Sequence, residues 1–168
     1  MNDLDVKKII TSQFDKFKFE LIDCNRDRDL DGKWECVDEY IRPFIKELNK
    51  NKNISTDCSC EGHHFTDIEH EVNDFPYLYF HVDEEGWNLF WIKVLPEMLF
   101  LFGQAVKMPD YIPECPNTHP YYTLSWNLSI MSDGISIYGD LSNEIILWGE
   151  KKKRFWEIMT ETFLKYFL

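Results

Sequence analysis

The stretch YYTLSWNLSIMSDGISIY, residues 121–138, alternates apolar and polar side chains and then turns back on itself. Successive side chains of a β-strand point to opposite faces, so the alternation predicts a strand with one buried and one polar face. The apolar face consists of Tyr122, Leu124, Trp126, Leu128 and Ile130. The residues SDG at 132–134 predict a tight turn, and ISIY at 135–138 predicts the antiparallel partner strand.

Two further strands are predicted upstream of this hairpin. Residues 54–60 favour a short strand, and PYLYFHV at residues 76–82 is aromatic and apolar. The proline that opens the second stretch is tolerated where a strand begins. EIILW, residues 144–148, is predicted as an additional strand.

Apolar residues that recur at helical spacing predict four amphipathic helices. These helices cover residues 4–22, 34–48, 84–102 and 150–167. Pro43 and Pro96 fall inside two of them, and each removes a backbone N–H donor, which kinks a helix or restarts it. The apolar stripe keeps its phase across Pro96, so we expect one kinked helix there.

The predicted elements follow the order α-α-β-β-α-β-β-(β)-α, with the bracketed strand at residues 144–148. Strands arrive in hairpin-like pairs rather than in β-α-β alternation. The order therefore predicts an α+β fold, an antiparallel sheet of about four to five strands with helices packed on one face. The 168 residues fit a single globular domain, 1–168, and a hydrophobic content of 44% is typical of a chain with a packed core.

Nothing in the sequence indicates secretion or membrane insertion. The first residues, MNDLDVKK, are polar and acidic, and LPEMLFLFG at residues 95–103 is too short to cross a bilayer. We therefore expect a soluble, cytoplasmic protein. The number of cysteines, five, is odd, which favours free thiols or metal ligands over a disulfide framework.

Acidic residues are concentrated in one region of the chain. The formal net charge is −12, and residues 53–92 contain nine acidic residues and no Lys or Arg. Such a region repels the phosphates of nucleic acids and attracts a basic protein. We predict that a basic partner contacts the acidic side chains of this region, Asp67, Glu69, Glu71, Asp74, Asp83, Glu84 and Glu85. The alternative is that the charge serves solubility alone.

The stretch DCSCEGHH, residues 57–64, is a candidate zinc site. Thiolates and imidazoles are the ligands that zinc prefers, which makes Cys58, Cys60, His63 and His64 the candidate ligands. Further ligands would come from elsewhere in the chain, from His70, His81, Cys115 or His119. The alternative is that both cysteines are buried core residues. A thiol nucleophile is disfavoured, because the surrounding acids raise the pKa of a cysteine.

The stretch DRDLDGKWECVD, residues 27–38, is a candidate calcium site. Three alternating aspartates, a glycine at the sixth place and an aspartate at the twelfth resemble the calcium loop of EF-hand and dockerin proteins. The resemblance implies ligation by the carbonyl of Lys33 and by four carboxylates, those of Asp27, Asp29, Asp31 and Asp38. EF-hands have a glutamate at the last place, whereas dockerins use aspartate. The alternative is a solvated loop before a helix whose first turn favours acids.

Two functional hypotheses from different classes follow from these features. The phosphate-loop, dinucleotide, HExxH and GxSxG motifs are absent. The first hypothesis is therefore a small acidic, non-enzymatic binding or inhibitor protein, of the phage anti-defence or toxin-immunity type, that acts on a basic protein or a small ligand. The second is a zinc-dependent enzyme or a zinc-stabilised protein centred on residues 58–64. A pocket for a nucleotide-like ligand between residues 76–82 and 87–102, lined by His81 or the aromatic side chains, is the intermediate hypothesis. A phosphorylated ligand there would require the basic residues at 151–154 to converge on that pocket.

Overall fold

A computed structural model describes Trp34 and residues 36–64, 74–107, 121–141 and 145–168. The first helix and strand are α1 (Arg42–Leu48) and β1 (Ile54–Cys60), followed by β2 (Tyr77–Val82). One continuous helical segment follows, composed of α2 (Glu84–Leu89), a π-helical turn (Phe90–Val94) and α3 (Leu95–Phe102). The remaining elements are β3 (Val106–Lys107), β4 (Tyr121–Tyr122), β5 (Ser125–Ile130), β6 (Ile135–Asp140) and α4 (Ile145–Phe167).

The main sheet has four antiparallel strands in the order β1-β2-β6-β5, and β3 pairs with β4 in a separate two-stranded sheet. The predicted hairpin forms β5 and β6, in which Ile130 lies opposite Ile135. Its turn is closed by the amide of Met131, which donates to the carbonyl of Gly134 at 2.9 Å. The α+β class and the antiparallel sheet predicted from the sequence are confirmed.

One face of the main sheet is apolar and carries the helices. Leu78, Phe80, Ile135 and Ile137 are fully buried on that face. On the other face, β5 carries three exposed polar residues, Ser125, Asn127 and Ser129. The alternation seen in residues 121–130 therefore does separate the core from the solvent, as the period of a strand requires.

Helix α4 provides the centre of the core. Phe163 is completely buried, and its ring contacts Phe44 of α1, Phe80 of β2 and Phe90 of the π-helical turn, with centroids 5.4–6.3 Å apart. Aromatic rings at such distances add to the free energy gained by burial. A single side chain of α4 thus joins the sheet to both other helical units. Among the described helices, none combines the length and the apolar character needed to cross a membrane.

The predicted single helix around Pro96 is also observed. Backbone dihedral angles remain helical from α2 through α3, and the amide of Leu95 donates to the carbonyl of Phe90, five residues earlier. Proline cannot donate a hydrogen bond and its ring clashes with the carbonyl of the residue four positions before it. The widened turn immediately before Pro96 accommodates both effects without ending the helix.

The start of the first described helix differs from the prediction. Residues 34–48 were expected to form one helix, but α1 begins only at Arg42, and Trp34 has a positive φ of 64° that no helix accommodates. Pro43 occupies the first turn of α1, where a missing N–H donor has no cost. The buried side chains of Val37 and Ile41 still follow the predicted apolar stripe.

The additional strand predicted at residues 144–148 is wrong, because α4 begins at Ile145 and includes this stretch. Its short apolar run suits a buried helical turn as well as a strand, and periodicity cannot separate the two. The two-residue strand β3 was not predicted, and residues 121–122, predicted as the start of the hairpin strand, form β4 of the separate sheet instead. The helix predicted at residues 4–22 lies outside the described residues.

We predict that Phe163→Ala lowers the free energy of unfolding by about 3–5 kcal/mol, because it leaves a cavity among three elements. Urea denaturation followed by circular dichroism measures this change. Phe100→Ala in α3 is the matched control, since Phe100 is 66% exposed and its removal should change the stability by less than about 0.5 kcal/mol. Equal effects of the two substitutions would contradict this description of the core.

Candidate metal centre

Strand β1 ends in a sharp turn at Gly62. Its φ is +93°, and a Cβ atom at this position would lie 2.9 Å from Cδ of Pro76. Both the dihedral angle and the close approach require glycine. Immediately after the turn, His63 and Asp74 exchange two backbone hydrogen bonds of 2.8 Å. The turn and this bridge together determine where the imidazole of His63 lies.

Glu61, the residue before the turn, is held from several directions. The indole Nε1 of Trp156 donates to its carbonyl oxygen at 2.9 Å. Lys152 Nζ donates to Oε1 of Glu61 at 3.2 Å and to the carbonyl of Gly62 at 3.1 Å, and the amide of Tyr40 donates to Oε2 at 3.2 Å. Helix α4 therefore fixes the end of β1 through two of its side chains.

Three metal-ligating side chains converge beside this turn, and we call them the metal cluster: Asp38, Cys60 and His63. One ligand atom from each lies within 4.8 Å of the other two. Oδ2 of Asp38 is 3.4 Å from Nε2 of His63 and also accepts a 2.8 Å hydrogen bond from the amide of Glu61. Ligands of one tetrahedral zinc ion are roughly 3.3–3.8 Å apart, so small side-chain adjustments would complete such a site.

The environment of Cys60 keeps its thiol protonated. Burial, supported by the nearby carboxylates of Asp38 and Asp74, raises the pKa of Cys60 to about 11, although the amide of Gly62 donates to its sulfur at 3.4 Å. A raised pKa keeps the thiol protonated at neutral pH, which disfavours Cys60 as a nucleophile in the metal-free protein. A bound metal ion would displace this proton and neutralise the surrounding negative charge.

The structure brings together two of the four side chains predicted for zinc. Cys58 and Cys60 do lie on the same face of the sheet, opposite Tyr79 and Tyr77 respectively. Two residues along a strand separate them by about 7 Å, and Cys58 is not part of the cluster.

His64 is not part of the cluster either. It is buried, and its ring packs edge-on against Trp148 with centroids 5.2 Å apart. This histidine is therefore a core residue.

The third member of the cluster, Asp38, was predicted as a calcium ligand. It lies 22 positions before Cys60 in the sequence, and no local spacing connects the two residues. The other calcium candidates, Asp27, Asp29 and Asp31, lie outside the described residues. So do the supplementary zinc candidates His70, Cys115 and His119. Calcium binding by residues 27–38 accordingly stays a prediction.

His81, another supplementary zinc candidate, has a different environment. It is 1% exposed, and its Nδ1 is 2.6 Å from the carbonyl oxygen of Asp133 in the hairpin turn. Because a carbonyl only accepts, the hydrogen bond to Asp133 requires the proton on Nδ1, and it joins β2 to the turn of the hairpin. Nε2 lies 3.5 Å from Oδ2 of Asp57, at the bulge of β1 between Thr56 and Cys58, and has no hydrogen-bond partner among the described residues.

The predicted partner-binding acids have mixed roles. Asp83 caps α2 by accepting from the amide of Gly86 at 2.8 Å, and its carboxylate and that of Glu85 both accept from the amide group of Asn53. Glu84 is exposed. Asp74 forms the backbone bridge to His63. The remaining three, Asp67, Glu69 and Glu71, lie outside the described residues.

The space between β2 and the helical segment, where a nucleotide-like ligand is predicted, is occupied by core side chains. Phe80 and Phe90 fill that space, with both rings fully buried and their centroids 5.4 Å apart.

Comparison of the chain with protein-family models, with curated proteins and with solved structures finds no match.

Proposed function

We propose that the protein is a zinc-stabilised, non-enzymatic binding protein, with zinc held by Asp38, Cys60 and His63. The convergence of a carboxylate, a thiol and an imidazole within 4.8 Å of one another carries this proposal. Zinc binds all three ligand types, and a fourth position remains for water or another donor. The bound ion would connect the loop before α1 to the end of β1.

We favour a stabilising role over a hydrolytic one, because the ion would join the loop before α1 to the end of β1. A zinc hydrolase needs an open coordination position, which this site has, and also a nearby base that is free to accept a proton from the bound water. Glu61 directly follows Cys60, but Lys152 and the amide of Tyr40 each engage one of its two oxygens. Asp74, whose carboxylate acts on the thiol of Cys60, is the other candidate base.

Purified protein is expected to bind roughly one zinc ion per chain. Cys60→Ser removes a direct ligand and should weaken zinc binding by at least about 100-fold, which is more than the loss of a residue that only hydrogen-bonds to a ligand. Elemental analysis and competition with a chromogenic chelator measure the stoichiometry and the affinity. Zinc should also raise the melting temperature, because only the folded chain brings the three ligands together.

Cys58→Ser is the matched control for this experiment. It removes an identical thiol from the same face of the same strand but leaves the metal cluster intact. Asp38→Asn is a milder test, since the amide oxygen can still accept the hydrogen bond from Glu61 while the ligand charge is lost. Equal loss of zinc in Cys58→Ser and Cys60→Ser, or no zinc binding by the wild-type protein, would refute the proposed site.

The partner proposed for the binding function is a basic protein, as expected for an inhibitor of the anti-defence or immunity type. One groove supports this choice. It has a volume of about 560 Å³ along α2 and the π-helical turn, and it is lined by Glu84, Glu85, Asn88, Leu89, Ile92 and Lys93. Two acidic side chains beside two apolar ones suit a basic segment of a partner, with Lys93 the one basic residue among those that line the groove.

We predict that Glu84→Lys weakens capture of a basic partner from the native host by roughly tenfold at low ionic strength, and less at high salt, because exposed charges are screened. Glu161→Lys in α4 is the matched control, since it makes the same charge change at another exposed helical position. Absence of any partner at low salt would contradict the proposal. Equal losses in both variants would show that net charge alone acts, which would contradict the proposed groove.

A further inference from the structure

A second groove lies between helix α4 and the two-stranded sheet of β3 and β4, and its lining is mostly polar. It has a volume of about 370 Å³. We call it the cationic groove, because its lining includes three basic side chains, those of Lys107, Lys153 and Arg154. Tyr122 contributes a phenol, and Glu150 and Glu157 are the acidic residues in the lining. The groove is separate from the metal cluster and shares none of its residues.

The positive charge of this groove contrasts with the rest of the chain. The protein has a net charge of −12, and residues 53–92 contain no Lys or Arg. In the cationic groove three basic side chains meet two acidic ones, which leaves a local charge of +1. The basic residues from α4 that the sequence left unassigned therefore converge with Lys107 of β3. Such convergence in an acidic protein favours an anionic ligand.

Arg154 has donors that a ligand in the groove can use. Its Nε is buried without a hydrogen-bond partner among the described residues. Its Nη1 lies 3.6 Å from Oε2 of Glu157, a distance that indicates a weak ion pair. Because this partner is weak, the terminal nitrogens of the guanidinium group can donate to an anion in the groove.

The remaining side chains of the lining suit a tetrahedral anion. The guanidinium group is a planar fork that binds two oxygens of a phosphate, and each lysine adds a charged donor. Burial and the carboxylates of Glu150 and Glu157 raise the pKa of Tyr122, so its hydroxyl remains protonated and able to donate. A phosphate group has enough oxygens to accept from several of these donors at once.

We propose that the cationic groove binds a small molecule through a phosphate group. The volume of about 370 Å³ lies at the lower end of the range of small-ligand sites, which suits a compact phosphate ester or free phosphate. Glu157 competes with the ligand for Arg154, so its charge limits the affinity for the anion.

The test is titration of the full chain with inorganic phosphate, adenosine monophosphate and acetate, measured by calorimetry and by amide chemical shifts. Phosphate or its ester should bind at least about tenfold more tightly than acetate, because acetate carries less negative charge and fewer acceptor oxygens. Tighter binding of the ester than of inorganic phosphate would identify a phosphorylated metabolite as the ligand. The reverse order would identify free phosphate. The titrations are repeated in the Cys60→Ser chain, so that phosphate bound to zinc is not counted.

Three variants separate the groove from general electrostatics. Arg154→Gln should weaken phosphate binding by roughly tenfold or more, whereas Lys151→Gln, which removes the same charge outside the groove, should leave it within about twofold. Glu157→Gln should strengthen binding, an effect that a damaged fold does not produce. Equal losses in Arg154→Gln and Lys151→Gln, unchanged affinity in Glu157→Gln, or equal affinities for phosphate and acetate would each overturn the proposal.

Discussion

Burial of the aromatic face of α4 is the interaction on which the rest of the structure depends. Phe155, Phe163 and Phe167 are at most 1% exposed, and each large apolar side chain buried in this way contributes about 1.5–3 kcal/mol. The face contacts the sheet through Phe80 and the first helix through Phe44. The helix, the sheet and α1 are therefore held to one another through a shared set of rings rather than through separate contacts.

The metal cluster and the cationic groove both depend on side chains of this same helix. Lys152 and Trp156 reach the turn at the end of β1 and hold Glu61, which in turn donates its amide to Asp38 of the metal cluster. Lys153 and Arg154 line the cationic groove beside β3 and β4. Because buried rings fix the helix, the polar side chains on its flanks are positioned at little additional cost in conformational entropy.

Sequence patterns predicted the parts of the fold that depend on local periodicity. The bounds of β1 match residues 54–60, and the alternation in 121–138 predicted the hairpin, because both signals come from neighbouring residues. The start of α1 was misplaced because an apolar stripe reports burial and not backbone conformation, which Trp34 and Pro43 decide in this segment. The strands of two residues, β3 and β4, are too short to have a period.

The metal cluster could be predicted only in part, for a related reason. Cys60 and His63 belong to one short motif, so their proximity follows from the turn at Gly62. Asp38 joins them through long-range packing, which no spacing reveals. Cys58 was grouped with them because strand alternation places it on the same face, but sharing a face does not bring two side chains within ligand distance. The convergence at the cationic groove likewise depends on tertiary contacts between β3 and α4.

X-ray absorption at the zinc edge of the purified, zinc-loaded protein tests the central claim most directly, because it counts the sulfur atoms bound to the metal. A site made by Asp38, Cys60 and His63 has a single sulfur ligand at about 2.3 Å, and its other ligands are nitrogen and oxygen at about 2.0–2.2 Å. Two sulfur ligands would show that a second cysteine binds the ion beside Cys60, and no sulfur ligand would exclude Cys60. Either result would contradict a site in which Cys60 is the single sulfur ligand.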